Sequence, residues 1–374
     1  MTAAFRTPSV KALWPEVRVA VIAITRGGAE LGRRLSESIA GLDLHVSSRY
    51  AELAGNICSV FDPSGLKTRI GSLWKRYDGF IFIMATGIVV RMIASLLESK
   101  ESDPAVVVMD DAGKFSISLL SGHLGGANEL AERCASAVGA CPVITTATDA
   151  NGLPSFDMLA KELGWVIDDI RQVKHLNTLL LDNLEIAVVD ASGKTRNRLQ
   201  GRGMVKFYDT FAEAVESRAD GFLFVTNRDL PLQETPDKLL ILRPRNLVLG
   251  IGCNRGTPVG EIADFVTSHL KQMSLSPKSI HSIASATVKR DEPGLLQYAA
   301  RLGVPLQCYE SDELNRTDFP SPPSAHAMAA VGAAGVAEPA AILASNSGRL
   351  LLKKVKSKNV TMAVAELVLP TIDV

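Results

Sequence analysis

The chain predicts an α/β protein: two open α/β sheet domains joined by a smaller α+β middle region. Short apolar runs of strand length alternate with amphipathic helix patterns along most of the 374 residues. Several of these runs are apolar throughout, as strands covered on both faces are. Turn-forming residues cluster at Asn151-Gly152-Leu153-Pro154, which ends the first domain. The expected domains are residues 1–152, 153–244 and 245–374.

Residues 17–25 read as a buried strand, Arg26-Gly27-Gly28 as a glycine turn and 29–40 as a helix. Residues 42–46 and 66–74 continue the alternation. The next buried strand, 79–84, stops at Ala85-Thr86-Gly87, where a helix begins with Ile88, Val89, Arg91, Met92 and Ile93. Runs at 105–109 and 114–120 are joined by Asp110-Asp111-Ala112-Gly113, which has the spacing and composition of a hairpin turn. Ser121-Gly122-His123-Leu124-Gly125-Gly126-Ala127-Asn128 leads into a helix at 129–138. A strand at 141–144 breaks into Thr145-Thr146-Ala147-Thr148-Asp149. Three strand ends are expected to deliver small and polar residues to one edge of an open sheet, and ligands of α/β folds bind at the carboxyl edge.

The middle region reads as helices at 155–163, capped by Ser155, and 170–181. Strands at 185–189 and 221–226 flank the polar stretch 191–204. In the third domain the strands are 247–251, 280–285, 305–309, 350–352 and 360–364. Its helices are 259–270, 294–302 and 337–344.

A 47% hydrophobic content, 21% charged and 5% aromatic residues describe an ordinary α/β protein with room for two or three cores. Few aromatics argue against base stacking on nucleic acid. Forty basic and forty acidic residues leave no net charge, so an acidic ligand needs a local cationic cluster. Five widely spaced cysteines without C-x-x-C read as reduced thiols, neither a disulfide framework nor a zinc site. Residues 1–17 lack the apolar core of a signal peptide, and no run approaches the ~20 apolar residues of a membrane span. The expectations are a cytoplasmic protein with no membrane and no nucleic-acid partner.

His123 sits between glycines just before a helix, and its pKa range suits proton transfer near neutrality. Gly122, Gly125 and Gly126 allow close backbone approach to a ligand, and Ser121 and Asn128 flank them. Thr145, Thr146, Thr148 and Asp149 leave one strand end as hydrogen-bond partners, with Asp149 second for proton transfer. No metal-ligand spacing surrounds these residues, so no protein-bound metal is expected. Asp110 and Asp111 are read as turn residues.

Gly250-Ile251-Gly252-Cys253-Asn254-Arg255-Gly256 misses the dinucleotide spacing by one residue. It reads either as a tight strand-to-helix turn or as a nest of N–H groups holding a carboxylate, with Arg255 adding charge. Cys253 is read as a small turn residue rather than a nucleophile. Arg91, Lys100, Lys289, Arg290, Lys353, Lys354 and Lys356 are the cations nearest recognisable motifs.

Those motifs carry a resemblance. ATGIVVR, DPAVVVMD, LLSGHLGGANELA and VITTATD resemble the amino-terminal region of the cobalt-precorrin-5A hydrolase family. NLVLGIGCNRGTPVGE, GVAEPAAIL and KSKNVTMAVAE resemble its carboxy-terminal domain. Ser95 departs from the family pattern, where a proline is expected. The resemblance implies a hydrolase of anaerobic cobalamin biosynthesis. It would open the ring A acetate δ-lactone of cobalt-precorrin-5A and release acetaldehyde, giving cobalt-precorrin-5B. Catalysis would rest on His123 and Asp149. Substrate binding would involve Thr86, Gly87, Arg91, Ser121, Gly122, Gly125, Gly126, Asn128, Thr145 and Thr146, and in the third domain Gly252, Cys253, Arg255, Gly256 and Lys289. No cofactor is implied, because the substrate carries the cobalt. Hand-over to other enzymes of the pathway and a monomeric or homodimeric state are further expectations. The alternative is a non-catalytic tetrapyrrole carrier, since the third domain also resembles a small stand-alone protein of the aerobic pathway.

Overall fold

The structure is a computed structural model that describes residues 17–55, 58–99, 102–230 and 236–368; Lys100 lies outside the described residues. The chain divides into two compact units, with the break between Leu153 and Pro154.

The first unit is built on one seven-stranded sheet. Its strands are β1 (Val19–Ala23), β2 (Leu42–Ser47), β3 (Cys58–Phe61), β4 (Gly79–Ile83), β5 (Ala105–Met109), β6 (Phe115–Leu120) and β7 (Cys141–Val143). Their order across the sheet is β3-β2-β1-β4-β5-β6-β7. Alternate side chains of the apolar runs feed two cores, which is why the runs are continuous. Val19, Val21, Ile81 and Ile83 pack on one face among residues of the helices Arg26–Ser38 and Ala127–Val138. Ala20, Ile22, Phe80 and Phe82 pack on the other with those of Leu66–Leu73 and Thr86–Ile93.

Strand direction corrects the expectation of a single functional edge. β1, β2, β3, β4 and β5 run parallel, but β6 is antiparallel to β5, and β7 is parallel to β6. The hairpin turn reverses the chain, so β6 and β7 end where β1, β4 and β5 begin. Thr86, Gly87 and Arg91 therefore follow one edge of the sheet, while Ser121 to Asn128 and Thr145 to Asp149 follow the opposite one. The helix after β1 also begins earlier than the sequence suggests. It starts at Arg26, because the Thr25 hydroxyl caps it by accepting the Gly28 N–H at 3.1 Å.

The second unit holds two five-stranded sheets. One contains β8 (Val166–Ile167), β9 (Ile186–Asp190), β10 (Val205–Tyr208), β11 (Gly221–Val225) and β12 (Leu239–Arg243), in the order β10-β9-β11-β12-β8. The other contains β13 (Leu247–Cys253), β14 (Ile280–Ala286), β15 (Leu306–Tyr309), β16 (Leu350–Lys356) and β17 (Val360–Glu366), in the order β15-β14-β13-β17-β16. The Asp168 carboxylate ties the two together: Arg243 of its own sheet, only 4% exposed, donates to it at 2.9 Å, and Lys278 beside the other sheet donates to it at 2.5 Å. Burial works against the charge of Asp168, but the hydrogen bonds from Lys278 and Arg243 overcome it and hold the carboxyl below its ordinary range.

Gly250 marks the tightest packing of the third sheet. A Cβ placed there would lie 1.8 Å from the carbonyl oxygen of Ala337, which starts the helix Ala337–Ala344. The facing residues Ala340, Ala341, Ala344, Ala363 and Ala365 are small and buried for the same reason. Gly250→Ala is expected to lower the free energy of unfolding by about 3 kcal/mol or more, because a backbone carbonyl cannot rotate away as a side chain can. Gly71→Ala is the control. It lies inside a helix with nothing within 4 Å of its would-be Cβ, and should gain about 0.5–1 kcal/mol. Urea titrations of both variants measure the contrast.

Candidate functional site

The loop between β6 and the helix Ala127–Val138 is wound tightly around its glycines. Ser121 has a left-handed φ of 57°, and the Ala127 and Asn128 N–H groups donate back to the carbonyls of Ser121 and Gly122 at 3.1 and 3.0 Å. A Cβ on Gly122 would come within 2.6 Å of Asn128 Oδ1, and one on Gly125 within 2.4 Å of Ser121 Cβ. Those two glycines therefore serve close packing of the loop itself.

Asn128 links the two motifs of this edge. Its Oδ1 accepts from the Ser118 hydroxyl at 2.7 Å, which orients the amide. Its Nδ2 donates to Thr146 Oγ1 and Asp149 Oδ2, both at 3.0 Å. Asp149, on the single helical turn Ala147–Ala150, in turn meets His123, whose Nε2 lies 2.9 Å from Asp149 Oδ2. The Thr148 hydroxyl is 3.2 Å from the same nitrogen. The His123 side chain is 16% exposed and that of Asp149 46%, so the pair opens to solvent on the carboxylate side. Thr145 is exposed beside this cluster, and the Ser121 hydroxyl turns away to the Asp103 carbonyl at 3.0 Å.

Thr148, one of the three hydroxyls of that strand exit, is buried against the pair, and the sequence did not single out Glu132. Burial first, then the charges of Asp149 and Glu129, hold the Glu132 carboxyl above its ordinary range. Helical spacing from Glu129 is the signal that could have found it.

The opposite edge of the sheet is built differently. Thr25 donates its hydroxyl hydrogen to the Asp111 carboxylate, and a Cβ on Gly27 would approach that carboxylate to 2.8 Å. Asp110 is a turn residue as expected, accepting from the N–H groups of Ala112 and Phe115 at 3.1 and 2.6 Å. Its neighbour Asp111 instead reaches back to the exit of β1. Arg91 is exposed and donates to the Gly87 carbonyl at 3.1 Å.

In the second unit, Gly250 and Gly252 belong to β13 rather than to a turn, and the turn proper is 254–258. Of the two readings of this motif, the nest has a protein occupant. Gly256, at a φ of 73°, donates its N–H to Glu292 Oε1 at 2.8 Å. Glu292 is fully buried, with Lys289 at 3.4 Å and Arg255 at 3.7 Å from its other oxygen. Arg255 also pairs with Asp291 at 2.6 Å. Beside this turn opens a cavity of about 680 Å³, lined by Gly252, Cys253, Arg255 and Lys289 among others. That size suits a small-molecule site. Among the described residues, no group of three or more His, Cys, Asp or Glu side chains is placed to hold a metal ion. No helix among them is long and apolar enough to cross a membrane.

Three protein-family models match the chain: Cobalamin synthesis G N-terminal over residues 68–149, Cobalamin biosynthesis central region over 154–244, and Cobalamin synthesis G C-terminus over 247–365. The chain is 38% identical over 354 residues to a Priestia megaterium protein named cobalt-precorrin-5A hydrolase, covering 92% of this chain and 94% of that one. It is 36% identical over 350 residues to the Salmonella typhimurium protein of the same name, covering 92% and 97%. Protein CobE of Sinorhizobium is 32% identical over 121 residues, which is 32% of this chain and 79% of CobE.

Burial pushes the Cys253 thiol up to about 11, against the opposing charge of Lys289. A thiol is a poor nucleophile until it ionises, so Cys253 carries little thiolate at neutral pH. Its alkylation by iodoacetamide, mapped by mass spectrometry, should therefore rise only as the pH approaches 11. A rise near the ordinary thiol range of ~8.5 would mean that the Cys253 thiol is open to solvent.

Proposed function

Because the chain belongs to the cobalamin synthesis G family, we propose that it is a cobalt-precorrin-5A hydrolase in which His123 and Asp149 move the protons. The observation that carries this reading is the 2.9 Å contact between His123 Nε2 and Asp149 Oδ2 on a glycine-wound loop. The family match and the names of the relatives support the substrate.

The imidazole of His123 takes a proton from the water attacking the lactone carbonyl, and Asp149 stabilises the resulting imidazolium. Collapse of the tetrahedral adduct breaks the ring C–O bond. It leaves the ring A acetate as a carboxylic acid, and the imidazolium returns its proton to the departing alkoxide. A second deprotonation of that hydroxyl starts a retro-aldol-type step, in which the C–C bond to the macrocycle breaks and acetaldehyde leaves. The conjugated macrocycle, which carries its own cobalt, accepts the electron pair and then a proton. Water is thus consumed, with a free acetate and acetaldehyde as products, and no cofactor is required by the balance. Asn128 donates to the same Asp149 oxygen that meets the imidazole, a positioning role.

Removal of a general base typically costs ~10²–10⁴-fold in rate. His123→Ala should lower acetaldehyde release from cobalt-precorrin-5A by at least the smaller factor while tetrapyrrole binding persists. Asp149→Asn should show a smaller loss, because the amide still orients the ring but cannot stabilise its charge. Normal turnover by the histidine variant would move the base elsewhere. Wild-type protein that binds the substrate and releases no acetaldehyde would instead be the carrier.

A further inference from the structure

The cavity beside β13 has two walls of opposite character. One is the β16–β17 hairpin, which presents Lys354, Lys356 and Lys358 at alternate positions along the cavity. None of the three forms an ion pair among the described residues. Among the described residues no acid lines the cavity, and three acids of the surrounding structure are already engaged. Glu292 is held by Gly256, Lys289 and Arg255. Glu261 accepts from Asn359 Nδ2 at 3.0 Å. Glu338, 2% exposed, accepts from the Ser321 hydroxyl at 2.9 Å and from the backbone N–H of Lys354 at 2.9 Å.

The other wall is the helix Ala325–Val331, whose sequence AHAMAAV has no buried residue and leaves Met328 49% exposed. Ala327, Ala330 and Val331 line the cavity from this side. Val331 packs against the core of the third sheet, while the small side chains of Ala327 and Ala330, with His326 beside them, leave an open and largely apolar surface facing the cavity. Lysines on an edge strand also guard against strand pairing. That explanation suffices for Lys353, which does not line the cavity, but not for three cations that line one cavity together with Ala327, Ala330 and Val331.

The hairpin is held in place before any ligand arrives. Asn254 donates from its backbone N–H to the Asn359 carbonyl at 2.9 Å and from Nδ2 to Asn359 Oδ1 at 3.1 Å. The Thr361 hydroxyl donates to the Gly252 carbonyl at 3.2 Å. The lysine backbone therefore needs little ordering on binding, which favours affinity.

We propose that this cavity binds an apolar ring system bearing at least three acid groups along one edge, with Lys354, Lys356 and Lys358 taking the acids and the helix Ala325–Val331 lying against the ring. On the hydrolase reading, which supplies the ligand's identity, that edge belongs to the carboxylate-rich rim of the tetrapyrrole. The lysines then act on affinity rather than on the bond-breaking steps.

The test titrates the full chain with uroporphyrin III, an octacarboxylate ring, and follows its absorption band. Lys354→Met, Lys356→Met and Lys358→Met combined should weaken binding about ten-fold, within the range that three partly exposed ion pairs supply. Ala330→Glu should weaken it too, by placing a like charge on the apolar wall. Lys67→Met, Lys174→Met and Lys271→Met remove the same total charge from exposed positions elsewhere, and should change the affinity less than two-fold. Wild-type affinity in the first triple variant, or an equal loss in the second, overturns the proposal. With cobalt-precorrin-5A, the first triple variant should raise KM and leave kcat unchanged. Acetaldehyde release with an unaltered KM overturns this site and leaves the hydrolase reading intact. Lysine-dependent porphyrin binding without any acetaldehyde release overturns the hydrolase reading and leaves the site intact.

Discussion

The reversal at Asp110–Gly113 decides where chemistry can occur in the first unit. The five residues 110–114 close an antiparallel hairpin, whereas a parallel return needs a crossover of a dozen or more. Asp110 holds the turn by accepting two backbone N–H groups, and Gly113 supplies a φ of 66°. Once the chain has reversed there, β6 and β7 must end at the edge where their parallel neighbours begin. His123, Asn128 and Asp149 then share that edge by necessity, although 26 residues separate the histidine from the carboxylate it meets. The same turn sends Asp111 to the other edge, where it meets Thr25 and the glycines after β1. One local device thus separates two polar clusters that a uniformly parallel sheet would have merged.

In the second unit the comparable constraint is distance. The helix Ala337–Ala344 lies so close to β13 that only glycine fits at position 250, and the layer between them is made of alanines. That approach brings Val336 and Ala337 to the cavity wall and sets Glu338 where it can hold the backbone of Lys354. Packing and site are therefore one arrangement. A larger residue in this layer would shift the lysine hairpin as well as the helix.

These two constraints also explain what the sequence disclosed. Strands buried on both faces, such as β4, β5 and β13, announce themselves as unbroken apolar runs. The hairpin was legible too, and the polarity of β6 and β7 is its consequence, which local pattern reading does not register. Short edge strands such as β3 and β8 carry too little burial to stand out. The helix Ala325–Val331 buries no face, so it has no periodicity to detect. The glycines of GIGCNRG suggested a turn because glycine usually means one. Their actual cause lies far along the chain, in Ala337 for Gly250 and Thr361 for Gly252. His123, Asn128 and Asp149 were identifiable as candidates by residue type and setting. Their mutual contact was not, nor was that of Thr25 with Asp111, because both depend on tertiary pairing.

A chain with forty cations and forty anions cannot attract a polyanion through its overall field. What distinguishes its regions is which charges are already balanced. Asp110, Asp111, Glu292 and Glu338 are each held by backbone N–H groups, hydroxyls or adjacent cations, so these acids serve the fold. Lys289 and Arg255 are partly spent in the same way on Glu292. Among the described residues Lys354, Lys356 and Lys358 form no ion pair, and they stand together on a hairpin held through Asn254 and Asn359. At the other functional cluster the Asp149 carboxylate meets the imidazole of His123, and the carboxyl of Glu132 is pushed up by burial and by the charges of Asp149 and Glu129. A proton-moving group gains from an excess of nearby negative charge, which favours the imidazolium it must form. An acid-binding wall gains from the reverse. The sequence totals conceal both imbalances, and the fold creates them by choosing which acids to neutralise.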